Sequence, residues 1–386
     1  MSITRSYQEI NEKIKAGKVV VVTAEEVVAM VKEEGPEKVL EKVDVVTTGT
    51  FGAMCSSGAF LNFGHSDPPI KMSKVWLNDV PAYAGLAAVD AYLGATELSE
   101  SRGLDYGGAH VIEDLLSGEK IKLKAMGFAT DCYPRTTLET WITLEDLNQA
   151  YLFNPRNAYQ NYCVAINSTG RTYHTYMGTL LPNYGNATYT TSGELSPLLC
   201  DPEYRTIGVG TRIFLGGGIG YVAWEGTQHN PAQKRDDNGV PLTNAGTLAV
   251  IGDLKGMNRK YLRAGIFHNY GTSLYVGIGI PIPLLDEEIL QKVALSNEEL
   301  KATVYDYGVQ KRSRPALGVV SYAELRSGKI ELNGRVIPTA PLSSLEKARA
   351  IATELKEWIL NGQFYLAEPV ASLPWRDGVK PLREEV

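Results

Sequence analysis

The middle of the chain, Tyr151 to Ile282, restricts the fold more than any other stretch. It is rich in tyrosine, threonine, asparagine and glycine, and it shows little of the periodicity of an amphipathic helix. Short β-branched and aromatic runs, such as Thr247 to Ile251 and Leu274 to Ile280, are typical of strands, and glycine and asparagine turns separate them. This pattern predicts a β-rich middle.

Helical signals lie on both sides of this region. Thr23 begins a capping box with Glu26, ahead of an apolar helical face. The clearest helical run extends from about Ser344 to Leu360, and Asn361-Gly362 provides a stop signal. Helices are therefore predicted near both ends of the chain.

Together these regions predict a mixed α/β fold. It has an N-terminal α/β portion with cysteine loops at strand ends, a β-rich middle and a helical C-terminal region. We place a boundary near residue 285. Residues 1–285 are expected to form an α/β catalytic region that carries both cysteine loops, and residues 286–386 a mainly helical region packed on the same core.

Secondary structure is also predicted for three segments that precede the β-rich middle. Glu119 to Met126 alternates apolar residues with lysine, which indicates a half-exposed strand. Thr143 to Ala150 resembles a short capped helix. Val75 to Tyr92 is mainly apolar and rich in alanine, and it fits either a buried helix or a strand followed by a helix.

Composition limits the functional class. The 386 residues include 38 Lys and Arg against 44 Asp and Glu, and no basic stripe is present, so nucleic acid is not an expected partner. The N-terminus lacks the apolar core of a signal peptide, and no apolar run is long enough to span a membrane. Four cysteines without close pairs are typical of reduced thiols, so a cytoplasmic location is expected.

Cys55 lies in a loop of small residues, from Gly52 to Gly58, directly after an apolar strand signal. Small neighbours let a substrate approach the sulfur, and free backbone N–H groups there would stabilise a thiolate. The alternative is a small buried apolar residue in a tight turn, which is how most free cysteines behave. The sequence leaves both interpretations open.

A second cysteine, Cys132, also follows a predicted strand. Arg135 would favour its thiolate, whereas Asp131 would oppose the thiolate or act as a base. Cys163 and Cys200 are predicted to be structural. No two cysteines have the short spacing of zinc or iron–sulfur ligands, so no metal site is predicted.

Two further features are candidates for substrate binding. His65, ten positions after Cys55, would serve as a base or bind an acidic substrate; the alternative is a loop histidine bonded to Asp67. The glycines Gly216, Gly217 and Gly218 lack both the P-loop ending and the dinucleotide-binding spacing. They predict a tight turn between strands, and close approach to a carboxylate through backbone N–H groups stays open.

Three long motifs then carry a resemblance: VVTTGTFGAMCSSGAFLNFGHSDPPIKM, MGFATDCYPR and GTRIFLGGGIGYVAWEGTQHNP. They resemble the homocysteine biosynthesis protein family, whose characterised members are L-aspartate semialdehyde sulfurtransferases of anaerobic archaea and bacteria. The resemblance implies that aspartate semialdehyde, a sulfur donor and two electrons give homocysteine, a precursor of methionine. It also implies two essential cysteines, which fall on Cys55 and Cys132, with Cys132 as the persulfide carrier.

The remaining roles follow from the resemblance as expectations. Cys55 would attack the persulfide or capture the aldehyde, and a Cys55–Cys132 disulfide would close. Arg135, His65 and the Gly216-Gly217-Gly218 turn would hold the substrate's carboxylate and amine. The chain lacks a convincing flavin or nicotinamide motif, so no bound cofactor is expected, and a ferredoxin-like iron–sulfur protein would supply the electrons.

The resemblance also bears on regulation and assembly. Archaeal members often carry a C-terminal pair of CBS domains, and this sequence ends without them, so adenosyl-ligand regulation is not expected here. A homodimer is one alternative for the oligomeric state. Two rival functions stay open: a cysteine-dependent acyl or CoA transferase, and a non-catalytic ligand-binding scaffold. Sulfur transfer needs both loop cysteines, a thioester enzyme needs one, and a scaffold needs neither.

Overall fold

The computed structural model describes residues 4–376 and 378–383, and the protein is a mixed α/β protein, as the sequence predicted. The helices in these residues are Tyr7–Lys15 (α1), Ala24–Glu34 (α2), Pro36–Lys42 (α3), Gly108–Leu116 (α4), Pro197–Cys200 (α5), Glu287–Val293 (α6), Tyr322–Arg326 (α7) and Leu345–Leu360 (α8). No helix in this part of the chain combines the length and apolar character needed to cross a bilayer.

The strands are short and numerous. Those that begin before residue 150 are Val21–Thr23 (β1), Val45–Thr47 (β2), Thr50–Ala53 (β3), Gly58–Asn62 (β4), Met72–Leu77 (β5), Val80–Ala82 (β6), Asp90–Gly94 (β7), Leu98–Ser99 (β8), Gly103–Gly107 (β9), Ile121–Gly127 (β10), Thr137–Ile142 (β11) and Gln149–Asn157 (β12). Those of the middle are Val164–Ile166 (β13), Tyr173–Thr175 (β14), Gly178–Leu180 (β15), Ala187–Tyr189 (β16), Gly208–Val209 (β17), Arg212–Leu215 (β18), Gly218–Glu225 (β19), Leu248–Asp253 (β20), Leu262–Phe267 (β21), Gly271–Gly279 (β22) and Pro281–Pro283 (β23). The last are Lys301–Asp306 (β24), Ala316–Ser321 (β25), Lys329–Leu332 (β26), Arg335–Pro341 (β27) and Ala371–Ser372 (β28).

The largest sheet runs in the order β21-β22-β18-β19-β20-β12-β4-β7, and β3 pairs separately with β22. A four-stranded antiparallel sheet has the order β11-β10-β5-β6, and a three-stranded sheet the order β1-β2-β23. A six-stranded sheet has the order β25-β24-β13-β16-β27-β26. The β-rich middle is therefore confirmed, and its strands form most of the large sheet.

Local signals account for the helices near both ends. In α2 the Thr23 hydroxyl accepts from the Glu26 N–H, and the Glu26 carboxylate accepts from the Thr23 N–H, so the predicted capping box is present. The predicted long helix is α8, which begins after Ser344 and ends at Leu360. It packs against β22 and β3, and its inner face includes Ile351.

Two sequence predictions are corrected. Thr143 to Ala150 is not a helix: the Thr143 N–H and hydroxyl both donate to Asp146, which makes a single turn, and β12 begins at Gln149, where it pairs with Asn62 of β4. Val75 to Tyr92 contains no helix, because it forms β5, β6 and the start of β7. In both cases pairing with a distant strand decides the local structure.

The C-terminal region contains α6, α7 and the predicted long helix α8, but β24 to β27 alternate with them. These strands were not predicted. They join β13 and β16 from the middle of the chain in one sheet, so contacts cross the position near residue 285. The boundary placed there stays a prediction.

Candidate active site

Cys55 lies in a tight turn between β3 and β4. The Ser57 N–H donates to the carbonyl of Met54 over 3.0 Å, and the Ser57 hydroxyl donates to the same oxygen over 2.7 Å. Because β3 pairs with β22 whereas β4 pairs with β7 and β12, this turn connects distant parts of the large sheet. The turn that carries the Cys55 thiol is therefore fixed by strand pairing of β3 before it and of β4 after it.

A glycine is required immediately after this turn. Gly58 is the cross-strand partner of Gly94, and a Cβ atom at Gly58 would lie 2.3 Å from the Tyr92 hydroxyl oxygen and 2.6 Å from the Leu93 carbonyl oxygen. No side chain fits at that distance, so the small residues around Cys55 reflect close packing of β4 on β7.

The Cys55 thiol is half-buried, and the Ser273 hydroxyl donates a hydrogen bond to its Sγ atom over 3.2 Å. Burial raises the pKa of this thiol above its ordinary value, and the hydrogen bond from Ser273 acts in the opposite direction. Burial thus favours the protonated thiol over the thiolate in the resting protein. Cys55 is therefore suited to donate a proton before it acts as a nucleophile.

Cys55 lines a cavity of about 1000 Å³. The wall is formed by several tyrosines and other polar residues together with three arginines, and it contains no aspartate or glutamate among the described residues. The charged and polar side chains of the wall include Arg156, Arg312, Arg314, Tyr159, Tyr162, Tyr176, Tyr270 and Asn244. A cavity with only positive formal charges favours an anionic ligand, and guanidinium groups suit a carboxylate.

The arginines come from two separate parts of the chain. Arg156 belongs to β12, and its Nε atom donates to the Thr227 hydroxyl over 3.0 Å. Arg314 follows β24, and its guanidinium lies 3.9 Å from the ring centroid of Tyr307. Its Nε atom is buried without a hydrogen-bond partner in the described part of the protein, so it has an unused donor beside the cavity.

Cys132 is exposed at the tip of the loop between β10 and β11. Two reciprocal backbone hydrogen bonds between Thr130 and Tyr133, of 3.0 and 3.1 Å, close the turn that contains it. The predicted strand that leads into this loop is confirmed as β10. Cys132 does not line the Cys55 cavity.

His65 and Arg135 lie with Cys132 and not with Cys55. The His65 ring stacks on Tyr133 with 6.0 Å between ring centroids, and the Arg135 guanidinium donates to the carbonyl of Asp67 over 2.8 Å. The loop before β5 and the loop after β10 therefore form one surface that carries the exposed thiol.

The glycine turn lies outside the Cys55 cavity. Gly216 and Gly217 form the hairpin turn between β18 and β19, with positive φ angles, as predicted for a tight turn. A Cβ atom at Gly217 would lie 2.2 Å from the Asn258 side-chain nitrogen, and Gly216 accepts from the Asn258 N–H over 2.9 Å. Gly216, Gly217 and Gly218 do not line the cavity, and packing on Asn258 explains the conformation of the turn.

The meeting of Cys55 and Cys132 stays a prediction, and the strand order separates the two thiols along one chain. Cys55 precedes β4, whereas the segment from His65 to Pro69, on which the Cys132 loop packs, follows it. Four residue steps along β4 cover roughly 13 Å. The two thiols thus lie toward opposite ends of this strand, and a disulfide requires Cα atoms within about 7 Å.

The other two cysteines are buried. The Cys163 Sγ lies 3.5 Å from the Tyr307 hydroxyl, and burial raises the pKa of Cys163 to about 11. The Cys200 thiol donates to the carbonyl of Glu194 over 3.1 Å, and burial raises its pKa as well. Both environments fit the predicted structural role.

Sequence reasoning did not identify the cavity arginines or Ser273. A signal was present in the basic run Lys311 to Arg314 and in the cluster of tyrosines from Tyr159 to Tyr176, but neither indicates that the residues face a cysteine. Among the described residues, no group of three or more His, Cys, Asp or Glu side chains is arranged to hold a metal ion.

The fold and this cavity define an α/β protein with a half-buried cysteine in an arginine-lined cavity and a second cysteine on an exposed loop. A sequence model of the family described as "Homocysteine biosynthesis enzyme, sulfur-incorporation" matches residues 19–366, and the chain belongs to this family. The resemblance in the three motifs is thereby confirmed, and the protein is an enzyme of the sulfurtransferase class.

Relatives from methanogens support this placement. The chain is 54% identical over 382 residues to an L-aspartate semialdehyde sulfurtransferase of Methanosarcina acetivorans, covering 99% of this chain and 74% of the relative. It is 52% identical to the protein of the same name from Methanocaldococcus jannaschii, covering 100% and 76%. An uncharacterised protein of Methanothermobacter thermautotrophicus is 29% identical, over 85% of this chain and 73% of its own length. No solved structure matches the chain.

Proposed function

We propose that the enzyme transfers sulfur to L-aspartate semialdehyde and yields L-homocysteine. The observation that carries the proposal is Cys55 in an arginine-lined cavity without carboxylates, in a chain half identical to two proteins named for this activity. The substrate is a small amino acid with a carboxylate at one end and an aldehyde at the other. The cavity provides a group suited to each end.

The carboxylate binds to the arginines in this proposal. Arg156 and Arg314 have guanidinium groups fixed by Thr227 and Tyr307, so they lose little freedom when they bind an anion. The ammonium group of the substrate donates hydrogen bonds to neutral oxygens such as the side-chain oxygen of Asn244. The aldehyde carbon is then directed toward Cys55.

Cys132 receives sulfur from a persulfide or polysulfide donor. Its thiolate attacks the terminal sulfur of the donor, the donor's own sulfur leaves as a thiolate, and Cys132 becomes a persulfide. The exposure of Cys132 supports this role, because a separate donor must reach the thiol. His65 and Arg135 lie on the same surface, and we assign them to the donor and not to the substrate's carboxylate.

The two thiols act in one transfer step. The terminal persulfide sulfur adds to the aldehyde carbon, and the Cys55 thiol gives its proton to the alkoxide that forms. The Cys55 thiolate then attacks Sγ of Cys132, which breaks the bond to the transferred sulfur and forms a Cys55–Cys132 disulfide. The substrate keeps the sulfur as a hemithioacetal thiolate, with no net change in electron count.

Reduction completes the reaction. Loss of water from the hemithioacetal gives a thioaldehyde, which takes two electrons and two protons to become the thiol of homocysteine. Two more electrons and two protons return the disulfide to thiols, since the sulfur arrived at the oxidation level of elemental sulfur. We propose a ferredoxin-like iron–sulfur protein as the donor of both pairs, with no cofactor resident on this chain. The four free cysteines support a reducing cytoplasm as the location.

The test is anaerobic incubation with aspartate semialdehyde, a polysulfide donor and a reduced ferredoxin, followed by mass spectrometry for homocysteine. The proposal predicts homocysteine that depends on all three reagents. Release of CoA from acyl-CoA substrates with no homocysteine would favour the transferase alternative. The absence of both products from folded protein would favour the binding scaffold.

A further inference from the structure

Two cysteines are accessible, and they lie toward opposite ends of β4. Cys55 is half-buried in the cavity turn, Cys132 is exposed on the β10–β11 loop, and Cys163 and Cys200 are buried. Any reaction that joins two thiols of this protein must therefore use Cys55 and Cys132. The sulfur transfer proposed above requires their Cα atoms to come within about 7 Å, whereas the roughly 13 Å length of β4 lies between the two positions along one chain.

The loop that carries Cys132 has an uncovered apolar surface. Phe128 is 77% exposed and Trp141 is 60% exposed, and Met126 is exposed between them on β10. β11 is the edge strand of its sheet, with β10 as its partner. Large apolar side chains on an exposed loop and its edge strand mark a protein-binding surface.

The carboxylate beside Cys132 complements the positive charge of the Cys55 cavity. Asp131 is the neighbour of Cys132 at the exposed tip, whereas the cavity wall has Arg156, Arg312 and Arg314 and no carboxylate. The cavity volume of about 1000 Å³ also exceeds what a small amino acid needs. A loop tip with one aspartate and one cysteine fits the charge and the size of this cavity.

We propose that the working site forms between two copies of this chain, with the Cys132 loop of one copy entering the Cys55 cavity of the other. This inference rests on the proposed two-thiol transfer. In a symmetric dimer the contact occurs twice, because each copy supplies one loop and one cavity, and two equivalent sites result. Phe128 and Trp141 become covered in that contact.

In this arrangement the sulfur transfer makes and breaks the same bonds as in the step proposed above. The persulfide on Cys132 of one copy gives its terminal sulfur to the aldehyde bound in the other copy, and Cys55 of that other copy attacks Cys132 Sγ. The product is a disulfide between two chains and a hemithioacetal thiolate on the substrate. The iron–sulfur electron donor then reduces the disulfide with two electrons and two protons.

Subunit complementation tests the inference. Cys55→Ser and Cys132→Ser, each with a different affinity tag, are co-expressed, and mixed dimers are isolated through both tags. Each variant alone is inactive. Mixed dimers should regain about half of the wild-type activity, since one of the two sites then contains both cysteines. An active wild-type enzyme with inactive mixed dimers would overturn the inference and leave the proposed function standing.

A second measurement does not depend on the substrate. Wild-type chains labelled with heavy and light isotopes are mixed, allowed to exchange and oxidised mildly, and the Cys55–Cys132 peptide pair is analysed by mass spectrometry. Pairs of one heavy and one light peptide are expected, together with a species of twice the mass on a non-reducing gel. Pairs of equal label with only the single-chain mass would overturn the inference, as would a protein that is active while monomeric.

The apolar contact has its own control. Phe128→Ser should weaken the dimer and lower activity at dilute protein, with recovery at high concentration. Val336→Ser removes a similarly exposed side chain, 66% exposed on β27, and should change neither property. Equal dimerisation of Phe128→Ser and wild type, with a weaker response to the electron donor, would assign the surface to that donor and contradict the proposal.

Discussion

The Ser273 hydroxyl donates a 3.2 Å hydrogen bond to the Sγ atom of Cys55, and this bond opposes the effect of burial on the thiol. Ser273 is fully buried in β22, and Cys55 belongs to a turn whose preceding strand pairs with β22. The strand pairing therefore brings the donor to the thiol. A hydrogen bond of this kind favours the thiolate over the thiol.

Removal of this donor should shift the reactivity of Cys55. In Ser273→Ala the pKa of the Cys55 thiol should rise further, because the thiolate loses the hydrogen bond that stabilises it. The rate of iodoacetamide alkylation at Cys55, followed against pH by mass spectrometry, should move to higher pH. Ser273→Thr keeps the hydroxyl and should behave as wild type. An alkylation profile that is the same in Ser273→Ala and wild type would contradict this account of the thiol.

The four thiols should react in a fixed order in the folded protein. Cys132 is exposed and should be alkylated first; Cys55 should follow slowly near neutral pH and faster as the pH rises toward its raised pKa. Cys163 and Cys200 are buried and should stay unmodified until the protein unfolds. Peptide mapping after timed alkylation measures this order, and early modification of Cys163 or Cys200 would show that the buried positions are wrong.

The arginine-lined cavity predicts a defect in substrate binding. Arg156→Gln should raise KM for aspartate semialdehyde by 10-fold or more with little change in kcat, since a hydrogen bond to a charged group contributes about 1.5–3 kcal/mol. Arg171→Gln is the control, because Arg171 lies over Tyr173 outside the cavity. The aldehyde analogue without the carboxylate should be used equally well by Arg156→Gln and wild type. If Arg156→Gln still had a higher KM than wild type for that analogue, Arg156 would not act by binding the carboxylate.

The close packing beside Cys55 predicts different effects on stability when either of two cross-strand paired glycines is replaced by alanine. Gly58→Ala places a Cβ atom against Tyr92 and the backbone of Leu93 and should lower the free energy of unfolding by about 1–3 kcal/mol. Gly94→Ala, at the cross-strand partner, meets no atom within 4 Å and should be nearly neutral. Urea unfolding of both variants measures the difference. Equal stability of the two variants would show that β4 and β7 are less tightly packed than described.

Local signals predicted the elements that depend on neighbours in sequence. The capping box of Thr23 and Glu26, the long helix α8 and the alternating strand β10 all form where expected. The pattern at Thr143 also forms its side-chain hydrogen bonds to Asp146, but the chain then enters β12, and pairing with β4 prevents a helix. The local hydrogen bonds at Thr143 form as the sequence pattern indicates, but pairing with the distant strand β4 determines the secondary structure.

In the candidate site, too, the sequence identified individual residues but not the contacts that depend on distant strands. Sequence identified Cys55 and Cys132 as the reactive candidates, and they are the two accessible thiols. It did not identify the cavity, since Arg156, Ser273 and Arg314 come from separate strands that only the fold brings to Cys55. It also predicted that the two thiols meet, and this stays a prediction, because their positions relative to β4 cannot be read from spacing.

The most direct test of the account is a single turnover without reductant. The enzyme is loaded with sulfur on Cys132, freed of excess donor and mixed with aspartate semialdehyde, and its intact mass and disulfide peptides are then determined. The account predicts loss of one sulfur from Cys132 and formation of a Cys55–Cys132 disulfide, while Cys55→Ser keeps sulfur bound to Cys132. Loss of the sulfur from Cys132 in Cys55→Ser at the wild-type rate, or a persulfide on wild-type Cys132 that does not respond to the substrate, would contradict it.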